Sequence, residues 1–203
     1  MAKIANTAFE VVVSNAKRNE TQNITGKFGS FDGETFIADA CSAGFICELH
    51  SRLPLEGYTE FGFKNKNSWY VVAATDGIIA GQPGDHTGLY ACNTYDVQKV
   101  NVAGMAVNIP GKTLGLPVPA DERGDFTELL VGETYAFGAG NFSTLPTTTN
   151  KYCTVSNGRL VGSSSAPTTG AVYFELVEIA RFTEGARDGG AKYILKALRS
   201  VAA

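Results

Sequence analysis

Turn-forming residues recur along this chain and bound short strand-forming runs. They fall at Gly29-Ser-Phe-Asp-Gly33, Asp76-Gly77, Gln82-Pro-Gly-Asp85, Asn157-Gly158 and Arg187-Asp-Gly-Gly190. Glycine supplies positive φ at such points, while Asn and Asp bond back to their own backbone, so each cluster reverses the chain. Between them lie short runs rich in Val, Ile, Thr, Tyr and Phe, residues that suit a pleated, half-buried surface. The runs predict strands over 8–14, 34–40, 44–49, 59–63, 68–75, 88–92, 127–131, 133–138, 152–156, 159–162, 171–179 and 191–198. Many short strands without intervening helical periodicity define a mainly β fold, a sandwich or barrel of short antiparallel strands with little helix.

Two pairings follow from local chemistry. In YCTVSNGRLVG, Asn157-Gly158 fits the two positive-φ positions of a type I′ turn and predicts a tight hairpin from 152–156 and 159–162. AVYFELVEIARF and AKYILKALR predict a longer hairpin, with Val172, Phe174, Leu176 and Ile179 alternating until a late break that fits a bulge. Tyr193, Ile194, Ala197, Leu198 and Val201 also suit one face of a helix, and the strand reading is preferred. Between 101 and 126, Pro110, Pro117, Pro119 and four glycines oppose a central strand and predict a long Pro/Gly-rich loop. The expected organisation is an N-terminal arm and strand over 1–33, then a β domain over 34–203, with two lobes divided near 101–126.

With 203 residues, the chain can bury a core without disulfides or metals. Its charged fraction, 18%, is below the roughly 25% usual in soluble domains and, with 44% hydrophobic residues, fits much buried or partner-covered surface. A net charge of -3 gives no long-range attraction for nucleic acid. No apolar run approaches the ~20 residues of a spanning helix, and the first residues lack the pattern of a signal peptide, so synthesis in a cytoplasm is expected. Cys41, Cys47, Cys92 and Cys153 are then read as buried thiols.

Asp85-His86-Thr87, with Cys92 beyond, places an acid, an imidazole, a hydroxyl and a thiol close together. Adjacent residues rarely orient one another as a nucleophilic triad, and no Gly-x-Ser-x-Gly elbow is present, so a turn feeding a strand is the better reading. Cys47-Glu-Leu-His50 has one zinc-like gap but no second, which leaves no metal site expected. Gly138-Ala-Gly140 lacks the rest of a phosphate loop. Glu56, Glu60, Asp121, Glu122, Asp125 and Glu128 are carboxylates whose separation sequence does not set. Trp69 reads as a strand residue packing its ring. No catalytic residue, cofactor or enzyme activity is assigned.

The segments GFICELHSRLPLEGYTEFG (44–62), GDHTGLYACNTYDVQKV (84–100), TLGLPVPADERGDFTELLVGETYAFGAGNF (113–142) and EGARDGGAKYILKALRS (184–200) together resemble the decoration proteins of tailed-bacteriophage and prophage heads. The resemblance implies a β-rich virion protein on the outer capsid surface. Its expected partners are the major capsid protein and copies of itself, as a homotrimer. Residues 1–20 then become a candidate contact arm: Phe9, Val11 and Val13 lie in a strand that could extend a neighbour's sheet. Lys17 and Arg18 would meet acidic capsid surface, and Arg123 could take a partner's carboxylate. A tail or baseplate β-module and a small-ligand or sugar-binding β-barrel are the alternatives.

Overall fold

A computed structural model describes residues 9–13, 23–53, 68–76, 84–93, 97–102, 105–110, 117–168, 170–184 and 187–200. The fold is mainly β, as the many short strand-forming runs predict. One layer is a small barrel made of β2 (Asn23–Asp32), β4 (Ile46–Arg52), β5 (Ser68–Ala73), β6 (Leu89–Cys92) and β9 (Gly124–Glu128). The first part of β2 is hydrogen-bonded on both edges, antiparallel to β9 and parallel to β5, and β5, β4, β6 and β9 then pair in turn to close the cycle. The last part of β2 turns at Gly33, φ 61°, into β3 (Thr35–Ala38).

The other layer is a seven-stranded sheet in the order β1 (Phe9–Val13), β10 (Thr134–Gly138), β15 (Arg187–Arg199), β14 (Val172–Glu184), β12 (Tyr152–Ser156), β13 (Arg159–Ser163) and β11 (Phe142–Thr144). Its β12–β13 hairpin turns at Asn157 and Gly158, with φ of 46° and 72°, as the dipeptide requires. The β14–β15 pair is a hairpin of two strands, with a register shift between Leu176 and Glu178 where the apolar alternation breaks. Two pairings, β2–β5 and β11–β13, are parallel and depart from the antiparallel expectation.

Two cores result from strands that bury both faces. On β4, Ile46 points into the core between the layers and Cys47 into the barrel, and both are fully buried. Leu89 and Ala91 on β6 likewise join the inter-layer core, while Cys92 joins the barrel. The seven-stranded sheet contributes Tyr135, Phe137, Val155, Leu160, Phe174 and Leu195 to that inter-layer core. Burial of this kind stabilises by about 25 cal/mol per Å² of apolar surface.

Several elements differ from expectation. Overlapping the loop expected over 101–126, residues 97–102 and 105–110 pair as two antiparallel strands, β7 (Val97–Val102) and β8 (Met105–Pro110). Pro110 closes its strand, where a missing N–H costs least, and Val118 between Pro117 and Pro119 bridges to Cys41. Strand β2 lies in an interval whose polar and glycine content hides it. β9 ends at Glu128; Leu129 and Leu130 are the buried crossing between the layers, not strand residues. The expected strand over 59–63 lies outside the described residues.

Residues 9–13, expected as an arm reaching a neighbour, pair with β10 of their own chain. Phe9 is buried and stacks on Tyr135 at 5.9 Å, because an aromatic at that register fills the end of the inter-layer core.

Gly26 sits where β2 is paired on both edges. A Cβ there would come within 2.5 Å of the Val71 side chain and 2.8 Å of the Trp69 carbonyl oxygen. Its φ is not positive, so Gly26→Ala would ordinarily stabilise by restricting the unfolded chain. Here the steric cost reverses the sign, and urea unfolding is expected to show a loss of about 1–3 kcal/mol. Phe174→Ala is expected to cost about 3–5 kcal/mol in the same measurement.

Candidate functional site

The turn at 84–88 is structural. Gly84 has φ 61°, and the Asp85 carbonyl accepts the Val131 amide at 2.9 Å. Thr87 is fully buried; its hydroxyl donates to the Leu129 carbonyl and accepts the Leu89 amide at 3.0 Å. A hydroxyl whose proton is held by a buried carbonyl is a poor nucleophile. His86 Nδ1 lies 3.0 Å from Glu128 Oε2, while Glu128 Oε1 accepts the Gly88 amide at 3.3 Å. Those contacts satisfy a carboxylate that is only 7% exposed. The carbonyls of Gly84 and His86 accept from Arg199 of the other layer, so the segment ties the two layers together.

The thiols are equally inward. Cys41, Cys47 and Cys92 are buried, free and fill the barrel. Burial pushes the Cys41 and Cys47 thiols up, and a hydrogen bond to Cys41 together with burial does the same for Cys92. Such thiols stay protonated and unreactive. Among the described residues no three His, Cys, Asp or Glu side chains are arranged to hold a metal ion. Gly138, Ala139 and Gly140 lead through one 3-10 turn, whose Asn141 donates to the Ala43 carbonyl at 2.6 Å. Trp69 packs on the barrel core beneath the Arg52 guanidinium, 5.2 Å from its ring centre.

The expected contact residues are scattered. Phe9 and Val11 pack in or against the inter-layer core, Val13 ends β1, and Arg123 is exposed in the turn before β9. Lys17 and Arg18 lie outside the described residues.

A different place brings polar groups together. An open groove of about 610 Å³ runs along the seam between barrel and sheet. Its volume is within the ~300–1,000 Å³ range of small-molecule sites. Phe28, Phe45 and Val72 give it apolar surface, and Asp39, Ser42, Glu48 and His50 line it from the barrel. Asn141 and Arg159 line it from the sheet. At one end Phe31 stacks on His50 at 4.1 Å and meets Tyr70 edge-on at 5.5 Å.

The β-strand period explains the carboxylate. Ile46 and Glu48 share the outward face of β4, so the face that is apolar between the layers becomes polar where the layers part. The Glu48 side chain has no hydrogen-bond or ion-pair partner among the described residues. Its carboxyl is held above the usual carboxylate range by burial first and by the Asp76 charge second, with His50 opposing.

Sequence reasoning weighed His50 as a zinc ligand and did not single out Asp39, Glu48 or Arg159. These residues come from separate strands and turns, and no spacing announces their convergence.

A carboxyl raised in the folded state binds its proton more tightly there than in the unfolded chain. Its stabilising contribution is therefore complete below the unfolded value and is lost as pH rises through the folded one. Glu48→Gln is expected to raise Tm at about pH 7 and to give no gain at about pH 3.5 in paired thermal melts. No family model, curated protein or solved structure matches this chain, so the groove is read from its own geometry.

Proposed function

We propose that the protein is a non-catalytic structural component of a tailed-phage particle, decorating and stabilising the outer capsid surface. The observation that carries this reading beyond the sequence resemblance is the β14–β15 hairpin. Along one edge β14 pairs with β15 throughout, while its other edge meets β12 only at Phe174 and Glu175. From Val177 onward no second strand lies along that edge among the described residues. Val177 is 60% exposed and Ile179 49%. A two-stranded ribbon with apolar side chains in water is marginal alone and offers an edge on which another chain can add.

On a capsid this edge meets the major capsid protein or a neighbouring copy. Modest contacts of that kind, repeated over a symmetric lattice, give large total stabilisation without chemistry. Assembly as a homotrimer and residence on the virion surface belong to the same reading.

The test is light-scattering mass of the purified chain, then co-sedimentation with expanded phage heads that lack an outer decoration protein. Saturable binding by the native chain is expected. The double variant Val177→Lys, Ile179→Lys is expected to keep the native Tm within a few degrees and to lose particle binding by about tenfold or more. A native chain that stays in the supernatant overturns the proposal.

A second reading, small-ligand binding, is favoured by the groove at the seam of the two layers, whose lining combines apolar surface with charges of both signs.

A further inference from the structure

The groove has an acidic wall and a basic wall on different layers. Asp39 and Glu48 belong to the barrel, and Arg159 opens β13 of the seven-stranded sheet. Neither carboxylate forms an ion pair with Arg159 or with any other cation among the described residues. Asp39 uses one oxygen to accept the Ala40 amide at 2.7 Å, which leaves the other oxygen open. Arg159 donates from Nη1 to the Gly140 carbonyl at 3.3 Å, which anchors the guanidinium and leaves donors for a carboxylate.

Resting on the small-ligand reading, we infer that the groove binds a small zwitterion of the amino-acid class with an apolar side chain. Its ammonium lies against Glu48 and Asp39, its carboxylate against Arg159, and its side chain against Phe28, Phe45 and Val72.

The charge arrangement selects this class over others. A phosphate or other dianion would face two carboxylates for one guanidinium. A simple cation would leave Arg159 unmatched, and a simple anion would leave Glu48 and Asp39 unmatched. A neutral sugar can hydrogen-bond to either wall but neutralises neither. Only a ligand with both charges around an apolar body answers both walls and the lining between them. Because the walls belong to different layers, such a ligand bridges the seam and should stabilise the folded chain by mass action.

The experiment is isothermal titration calorimetry, with thermal melts in parallel, on the full chain. The panel is L-phenylalanine, L-leucine, phenethylamine, 3-phenylpropionate, N-acetyl-phenylalaninamide and glucose. Saturable binding of phenylalanine or leucine is expected, with each singly charged or blocked analogue at least about tenfold weaker. Glu48→Gln is expected to shrink the preference for phenylalanine over 3-phenylpropionate, and Arg159→Gln its preference over phenethylamine. Both variants are expected to retain the native circular dichroism spectrum.

Equal binding of blocked and free amino acids, or tighter binding of glucose or of a singly charged analogue, overturns the zwitterion while leaving the groove a ligand site, provided that binding weakens in the variants. No binding by any member of the panel, or binding that neither variant changes, overturns the groove reading itself.

Discussion

The barrel closes at one place, and the rest of the molecule is built around it. Gly26 of β2 faces Gly124 of β9 on one side and Trp69 of β5 on the other. Neither glycine leaves room for a Cβ: at Gly26 it would meet Val71 and the Trp69 carbonyl, at Gly124 it would meet Val118 at 2.9 Å. A barrel of so few strands has little interior, and small residues at the closure let Ile24, Val71, Val118 and Phe126 fill it. Cys41, Cys47 and Cys92 answer the same restriction, as small apolar side chains where larger ones would overpack.

Closure in turn fixes the outside of the barrel. Once Cys47 and Cys92 point inward, Ile46, Leu89 and Ala91 must point outward, and they become the floor on which the seven-stranded sheet packs. The β12–β13 turn docks there, with Gly158 beneath the Phe45 ring and its carbonyl accepting the Ile46 amide at 2.9 Å. The groove is what remains where this docking ends. Within one strand the outward face passes from Ile46, buried between the layers, to Glu48, which lines the groove.

How far this was legible depended on whether the signal was local. Asn157-Gly158 prescribes its hairpin because two adjacent residues determine the backbone, and β14 shows itself through alternation as far as Leu176. β2 escaped notice because Gly26 and Gly29 replace apolar residues on a strand that is nevertheless inside, and their reason lies across the sheet in Val71 and Phe36. The prolines from 110 to 119 suggested an uninterrupted loop, yet Pro110 sits at a strand end and Pro117 and Pro119 flank a single bridge. Asp85-His86-Thr87 looked chemical only by proximity in sequence, whereas Asp39, Glu48 and Arg159 are gathered by topology that no local pattern encodes.

The pairing of β1 with β10 has a consequence for biosynthesis. Phe9 leaves the ribosome about 128 residues ahead of its partner Phe137, roughly 6–26 s at ordinary elongation rates. Throughout that interval β1 lacks its partner strand, while the barrel strands β2, β4, β5 and β6 emerge and can pair with one another. The seven-stranded layer cannot be assembled in chain order, because β1 must wait for β10. Such long-range closure slows folding and exposes an unpaired apolar segment to neighbouring nascent chains, so the order of translation itself bears on the yield of folded protein.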